Sequence, residues 1–102
     1  MTRKDVLAAA EKCVCGDRVQ DYGTPEDSFQ VIANLWADYL QGCGVRLDFL
    51  EAEDVAAMLA LLKIARIATG HGKDDNWIDL AGYAACGGEI ESEKSPPHEG
   101  GR

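Results

Sequence analysis

The sequence predicts an all-α fold, a four-helix antiparallel bundle completed by homo-oligomerisation. Apolar residues recur at intervals of three and four along most of the chain, which is the spacing of one helix face. Glycines follow the apolar runs, and the short turn at 70–72 should make the last two helices antiparallel neighbours. The chain has 102 residues, which is the length of one domain.

The ends of the first two helices are marked by capping residues. The first helix is expected from about Thr2 to Cys15, where the following glycine suits a C-terminal cap. In the second helix Thr24 can act as the N-cap, and Pro25 suits the first helical position. The helix should stop before Gly42. The apolar stripes of the two helices are Val6, Ala9, Ala10 and Cys13, and then Phe29, Ile32, Ala33, Trp36 and Leu40.

The third helix is apolar on almost every side. It is expected to start near residues 51–53 and to run to Thr69, with Gly70 ending it. A helix that is apolar all round is buried all round. Because three sister helices in a chain of 102 residues cannot surround it completely, we expect another subunit to cover part of its surface.

The fourth helix is expected from about Asp75 to Glu91. The residues after it are rich in proline, glycine and charge, which is typical of a solvated segment. We therefore expect a single helical domain over residues 1–93 and a flexible C-terminal tail over residues 94–102.

Charge and composition limit the classes of partner. The chain has 18 acidic and 10 basic residues and a net charge of −8, so polymeric nucleic acid is not an expected partner. No apolar run reaches the roughly 20 residues of a membrane span, and the N-terminus lacks a secretory signal. We expect a cytoplasmic protein, in the host cytoplasm if it is phage-encoded. Cys13, Cys15, Cys43 and Cys86 lack zinc-site spacing and are expected to be reduced, partly buried thiols.

The third helix carries two cations, Lys63 and Arg66, which share one face because they are three residues apart. A buried cation needs an anionic partner. Folding about the turn at 70–72 should bring Asp75 and Asp79 opposite these cations, with Asn76 on the same face. The cluster is either an internal salt-bridge network or a pocket in which the cations bind phosphate and the acids position them or bind Mg²⁺.

Three further residues are candidates for ligand contacts. Arg18 and Tyr22, between the first two helices, could supply a phosphate contact and a stacking ring, although local chemistry alone favours a simple turn there. Trp77 lies beside Asn76 at the start of the fourth helix, where an aromatic ring could line a pocket.

Several motifs together resemble a family of small phage and prophage proteins of uncharacterised function. The motifs are Arg18-x-x-x-Tyr22-Gly23, Phe29-x-x-Ile32-Ala33-x-x-Trp36, Asp54-Val55-x-x-Met58, Lys63-Ile64-Ala65-Arg66 and Asp75-Asn76-Trp77-Ile78-Asp79. The family is distantly similar to the all-α NTP pyrophosphatases, both MazG-like and dimeric dUTPase-like. That resemblance implies a helical bundle that completes a nucleotide pocket by oligomerising, and acidic residues in E-x-x-E and E-x-x-D motifs that hold Mg²⁺.

The sequence departs from the pyrophosphatases at these acidic motifs. Lys63-x-x-Arg66 stands at the place of E-x-x-E, and Asn76-x-x-Asp79 stands at the place of E-x-x-D. Direct binding of phosphate by cations is therefore expected rather than metal-assisted hydrolysis, and no cofactor is required.

Three functions follow. The leading one is binding of a small phosphorylated nucleotide at subunit contacts, used to sequester a nucleotide immune signal. The second is an Mg²⁺-dependent nucleoside triphosphate pyrophosphohydrolase with Asp75 and Asp79 as metal ligands. The third is a non-catalytic helical interaction protein. The candidate ligand-binding residues are Lys63, Arg66, Asn76, Asp79, Arg18, Tyr22 and Trp77.

Overall fold

The computed structural model describes residues 1–16, 25–71 and 74–94, which form helices and contain no strand. The helices are α1 (Arg3–Cys15), α2 (Pro25–Gly42), α3 (Ala52–Ala68) and α4 (Asp74–Lys94). The all-α prediction is confirmed. No helix within the described ranges has the length and hydropathy needed to cross a membrane.

Local hydrogen bonds fix the starts of two helices. At α1 the Asp5 amide donates to Thr2 Oγ1 over 3.1 Å, and the Thr2 amide donates to Asp5 Oδ2 over 2.9 Å. This reciprocal capping box satisfies amides that the first helical turn leaves free. At α3 the Glu51 amide donates to Asp54 Oδ2 over 2.9 Å. The acidic residues at these positions therefore have a structural role as caps.

Helix α4 is the central element of the packing. It lies against α3 in the most extensive helix contact, and it also packs on α1, while α2 packs mainly on α3. Glycines allow close approach in both α4 contacts. A Cβ atom built on Gly87 would lie 3.1 Å from Ala56 Cβ, and one on Gly82 would lie 3.0 Å from Val14 Cγ1. The α3–α4 pair is therefore close enough for polar side chains of one helix to reach those of the other.

The buried core consists mainly of small side chains. Among the described residues, the largest side chains that are fully buried are Val55 and Ile90. The buried apolar residues are Ala10, Ala33, Ala37, Ala52, Val55, Ala56, Ile78, Cys86 and Ile90. Within one chain the other helices cover one side of α3 and leave Leu61 and Leu62 exposed.

Two sequence-based expectations about α1 and the cysteines are wrong. Cys13 is exposed, and the neighbouring Val14 instead faces α4 at Gly82. Cys15 and Cys43 are exposed as well, and of the four thiols only Cys86 is buried. The rotation of α1 is set by its close contact with α4, which the spacing of apolar residues in α1 alone does not reveal.

Helix α4 is longer than predicted. It continues past Glu91 to Lys94, whose ammonium group is held by two acidic residues of another element. Lys94, assigned to the tail by the sequence, is thus part of the helical domain. Residues 95–102, the rest of the predicted tail, lie outside the described residues.

Candidate functional site

Polar side chains of α3 and α4 meet near the turn that joins the two helices. Lys63 Nζ lies 3.0 Å from Asp79 Oδ2, and Arg66 Nε donates a hydrogen bond of 3.2 Å to Asn76 Oδ1. Arg66 lies three residues after Lys63 on α3, and Asn76 lies three residues before Asp79 on α4. Both pairs therefore fit one antiparallel register of the two helices. The structure therefore brings together four of the residues that the sequence selected.

Asn76 is the centre of this cluster. Its side chain is almost completely buried, with 3% of the residue exposed. Its amide nitrogen donates to the backbone carbonyl of His71, and the His71 amide donates to the Arg66 carbonyl over 2.9 Å. Gly70 has a φ of +75°, a left-handed conformation that allows the chain to turn there. Asn76 thus links the turn to the guanidinium group of Arg66.

The charges of the cluster are unequally compensated. Lys63 and Asp79 form an ion pair whose side chains are 17% and 32% exposed. Arg66 is exposed, and no carboxylate pairs with it among the described residues. The one hydrogen bond that its side chain forms there uses Nε, so the two terminal nitrogens can donate to other acceptors. The cluster therefore presents a positive guanidinium group that is positioned through its Nε atom.

Asp75 differs from its expected placement. It is exposed, and within residues 1–16, 25–71 and 74–94 it forms no ion pair with Lys63 or Arg66. The antiparallel register is the reason, because Asn76 occupies the position opposite Arg66. In the same part of the chain, no group of three His, Cys, Asp or Glu residues is arranged to hold a metal ion.

The three secondary candidates have different outcomes. Trp77 follows Asn76 at the start of α4 and is 55% exposed, so its ring is accessible to solvent. Arg18 and Tyr22 lie outside the described residues.

A second ionic cluster joins the opposite ends of α3 and α4. Lys94 Nζ lies 3.0 Å from Glu51 Oε1 and 2.8 Å from Glu53 Oε1. Sequence analysis missed this cluster because it assigned Lys94 to a solvated tail. The antiparallel register could have revealed this cluster, because extending the Lys63–Asp79 alignment along both helices brings residues near 94 to the start of α3.

The charges of this second cluster shift the pKa values of Glu53 and Lys94. Partial burial raises the pKa of Glu53. The hydrogen bond from Lys94, a hydrogen bond from the Glu53 backbone and the charge of Lys94 together outweigh that effect, so the pKa lies below its ordinary value. The hydrogen bond to Glu53 raises the pKa of Lys94, against a smaller opposing effect of burial. Both groups are therefore held in their charged forms, and the cluster acts as a link between helix ends.

A shallow groove of about 370 Å³ runs between α3 and α4 beside this second cluster. Its floor is formed by alanines and glycines, and its rim carries Glu53, Asp54 and Glu91. This lining includes carboxylates and no basic residue, so the groove is less suited to an anionic ligand than the Arg66 cluster. An anion is favoured instead at Arg66.

Comparison with known proteins identifies the family of this chain. Residues 5–91 match the family described as a domain of unknown function, DUF6378. The chain belongs to the DUF6378 family. Both helices of the Arg66 cluster lie largely within the matched segment of this chain.

Two curated phage proteins are similar to this DUF6378 chain. The Gene 55 protein of Mycobacterium phage L5 is 39% identical over 94 residues, covering 92% of this chain and 55% of the relative. The Gene 55 protein of Mycobacterium phage D29 is 36% identical over 98 residues, covering 95% of this chain and 58% of the relative. The chain thus spans a little over half the length of these relatives. No solved structure matches the chain.

Proposed function

We propose that this DUF6378 protein binds a small phosphorylated nucleotide at the Arg66 cluster. The observation that carries the proposal is the state of Arg66. Its guanidinium group is held through Nε by the buried Asn76, and no carboxylate among the described residues neutralises it. A guanidinium group fixed in this way is suited to a phosphate, because its terminal nitrogens can form two parallel hydrogen bonds to phosphate oxygens.

The neighbouring groups favour a small ligand. Lys63 supplies a second ammonium group, but its charge is already balanced by Asp79 at 3.0 Å. The pair therefore adds hydrogen-bonding groups without adding net charge. The net charge of −8 on the whole chain opposes the approach of a long polyanion. One or a few phosphates at Arg66 fit this balance better than a nucleic acid strand.

Trp77 supports a nucleotide rather than inorganic phosphate. Its ring is 55% exposed, and it directly follows Asn76 on α4. Stacking of a base on an aromatic side chain contributes roughly 1–3 kcal/mol. A ligand with both a phosphate and a base would use both features.

Binding without hydrolysis is the favoured mode. Where the MazG-like enzymes carry acidic metal ligands, this chain has Lys63 and Arg66, and Asp79 is engaged by Lys63. The use that fits such binding in a protein with phage relatives is sequestration of a nucleotide immune signal. Self-association that covers the exposed side of α3 would place this site at a subunit contact, because Arg66 lies on the same helix.

The test is a calorimetric titration with nucleoside triphosphates, dinucleotides and cyclic nucleotides, each with and without Mg²⁺, followed by chromatography of the ligand. We expect metal-independent binding and recovery of the ligand intact. Arg66→Met should weaken binding roughly 10- to 100-fold, which corresponds to the loss of a charge-assisted hydrogen bond. Arg46→Met is the matched control, because Arg46 is an exposed arginine outside the helices and should leave the affinity unchanged.

The other functions give different results in the same experiment. Release of pyrophosphate that requires Mg²⁺ and is lost in Asp79→Asn would establish the pyrophosphohydrolase. Absence of binding to every nucleotide would leave a helical interaction protein. Unchanged affinity in a folded protein carrying both Lys63→Met and Arg66→Met would show that the ligand binds elsewhere.

A further inference from the structure

The outer face of α3 is an apolar surface that no other helix of the described chain covers. It consists of the following residues: Ala57, Met58, Leu61, Leu62, Ile64, Ala65 and Ala68. Leu61 is 62% exposed and Leu62 is 52% exposed. The face exposes on the order of 500 Å² of apolar surface, which is near the upper limit for the largest patch of a monomer. Each partner in a stable dimer buries about 800 Å², so this face would supply most of one side of such an interface.

The distribution of charge makes the outer face of α3 the surface on which a second copy meets least repulsion. Two copies repel each other because each carries a net charge of −8. Association is therefore least opposed through a surface without acidic residues. Residues 55–62 of α3 contain no charged side chain, and Lys63 is turned toward Asp79 on α4. The outer face of α3 is such a surface.

The order of side-chain sizes along the face determines the direction of pairing. Met58, Leu61, Ala65 and Ala68 are separated by three, four and three residues, the spacing of a seam between two packed helices. Among these four residues the large side chains, Met58 and Leu61, precede the small ones, Ala65 and Ala68. In an antiparallel pair, Leu61 of one copy packs on Ala65 of the other, and Met58 packs on Ala68. A parallel pair would place large residues on large ones and small on small.

We infer that two copies of this protein associate through the outer faces of α3 in antiparallel orientation, with Leu61 against Ala65. Antiparallel helices also oppose their dipoles favourably. Arg66 lies one helical turn beyond Leu62, at the edge of this face, so the second copy borders the site. The inference rests on the self-association included in the proposed function and does not depend on the ligand.

The test uses two charge substitutions and their mixture, without nucleotide. Light scattering after gel filtration should give the parent protein twice the chain mass of 11.0 kDa. Leu61→Lys and Ala65→Asp should each halve the parent mass, because each places an unpaired charge in the interface. An equimolar mixture should recover the parent mass. In the mixed pair the introduced lysine of one copy meets the introduced aspartate of the other, and the second Leu61–Ala65 contact of the pair is unchanged. Leu7→Lys is the matched control, because Leu7 on α1 is 64% exposed, and it should keep the parent mass.

Three results would overturn the inference: a monomeric parent, an unchanged mass for Leu61→Lys, or a mixture that stays at half mass. Circular dichroism establishes that each variant is folded. If Leu61→Lys does not fold, Met58→Lys and Ala68→Asp test the same register in the same way. A dimer that binds no nucleotide would refute only the proposed ligand, whereas a monomer that binds nucleotide would refute only the pairing.

Discussion

Asn76→Ala removes a buried amide that makes two hydrogen bonds across the turn between α3 and α4. The amide accepts from Arg66 Nε over 3.2 Å and donates to the His71 carbonyl. Each bond contributes about 0.5–1.5 kcal/mol, so we expect the free energy of unfolding to fall by about 1–3 kcal/mol. For a domain of this size, 1 kcal/mol corresponds to roughly 4–8 °C in Tm. Urea titration followed by circular dichroism measures the change.

The control is the same substitution at an exposed site. Asn34 on α2 accepts a hydrogen bond of 3.0 Å from Gln30, four residues earlier on the helix surface. Such a pair contributes about 0.2–0.5 kcal/mol. Both substitutions gain the helix propensity of alanine, so this effect cancels in the comparison. If Asn76→Ala costs no more than Asn34→Ala, Asn76 does not hold the turn and the argument for a positioned guanidinium group fails.

Four further substitutions test the helix contacts and the turn by denaturation. Lys94→Met should cost about 0.5–1 kcal/mol at pH 7, the value of a partly exposed ion pair. The pKa of Glu53 is lowered on folding, so its ionised carboxylate stabilises the fold above its ordinary pKa, and this effect is lost as the pH falls through the lowered pKa. The difference in stability between the parent protein and Lys94→Met should therefore shrink in acid and persist at neutral pH. Gly88→Ala should stabilise the protein by about 0.5–1 kcal/mol, because a Cβ atom there meets open space. Gly87→Ala should stabilise it less or destabilise it, because its Cβ atom would lie 3.1 Å from Ala56 Cβ on α3. Equal gains in stability would contradict the close packing of α3 and α4. Gly70→Ala should cost about 1–2 kcal/mol, since its φ is +75°, and a neutral result would show that the turn relaxes readily.

Local patterns were sufficient for most of the helix assignments. Spacings of three and four and the capping residues predicted helices whose starts and ends lie within a turn of those in the structure. The pairing of Lys63 with Asp79 was also predictable, because a short turn fixes the antiparallel register of two neighbouring helices. These features depend on residues close together in the sequence or joined by one short connection.

Features that depend on the rotation of a helix or on distant residues were not predictable. The exposure of Cys13 follows from the contact of Val14 with Gly82, which lies in another helix. The composition around Lys94 is typical of a tail, yet this residue binds acids more than forty positions earlier. Asn76 shares a face with Asp79, but its burial and its bond to a backbone carbonyl depend on the path of the turn.

The alanine-rich core has a consequence for how this protein tolerates mutation. Side chains such as Ala33, Ala52 and Ala56 have only a methyl group to lose, so truncation to glycine costs about 0.5–1 kcal/mol. Enlarging them forces the backbones apart and costs about 1–3 kcal/mol. In a mutational scan of the folding of the single chain, buried alanines should therefore be the least replaceable positions and exposed leucines such as Leu35 the most replaceable. This order is the reverse of that in a protein whose core consists of large side chains. Sequence drift in such a domain is limited at its smallest residues.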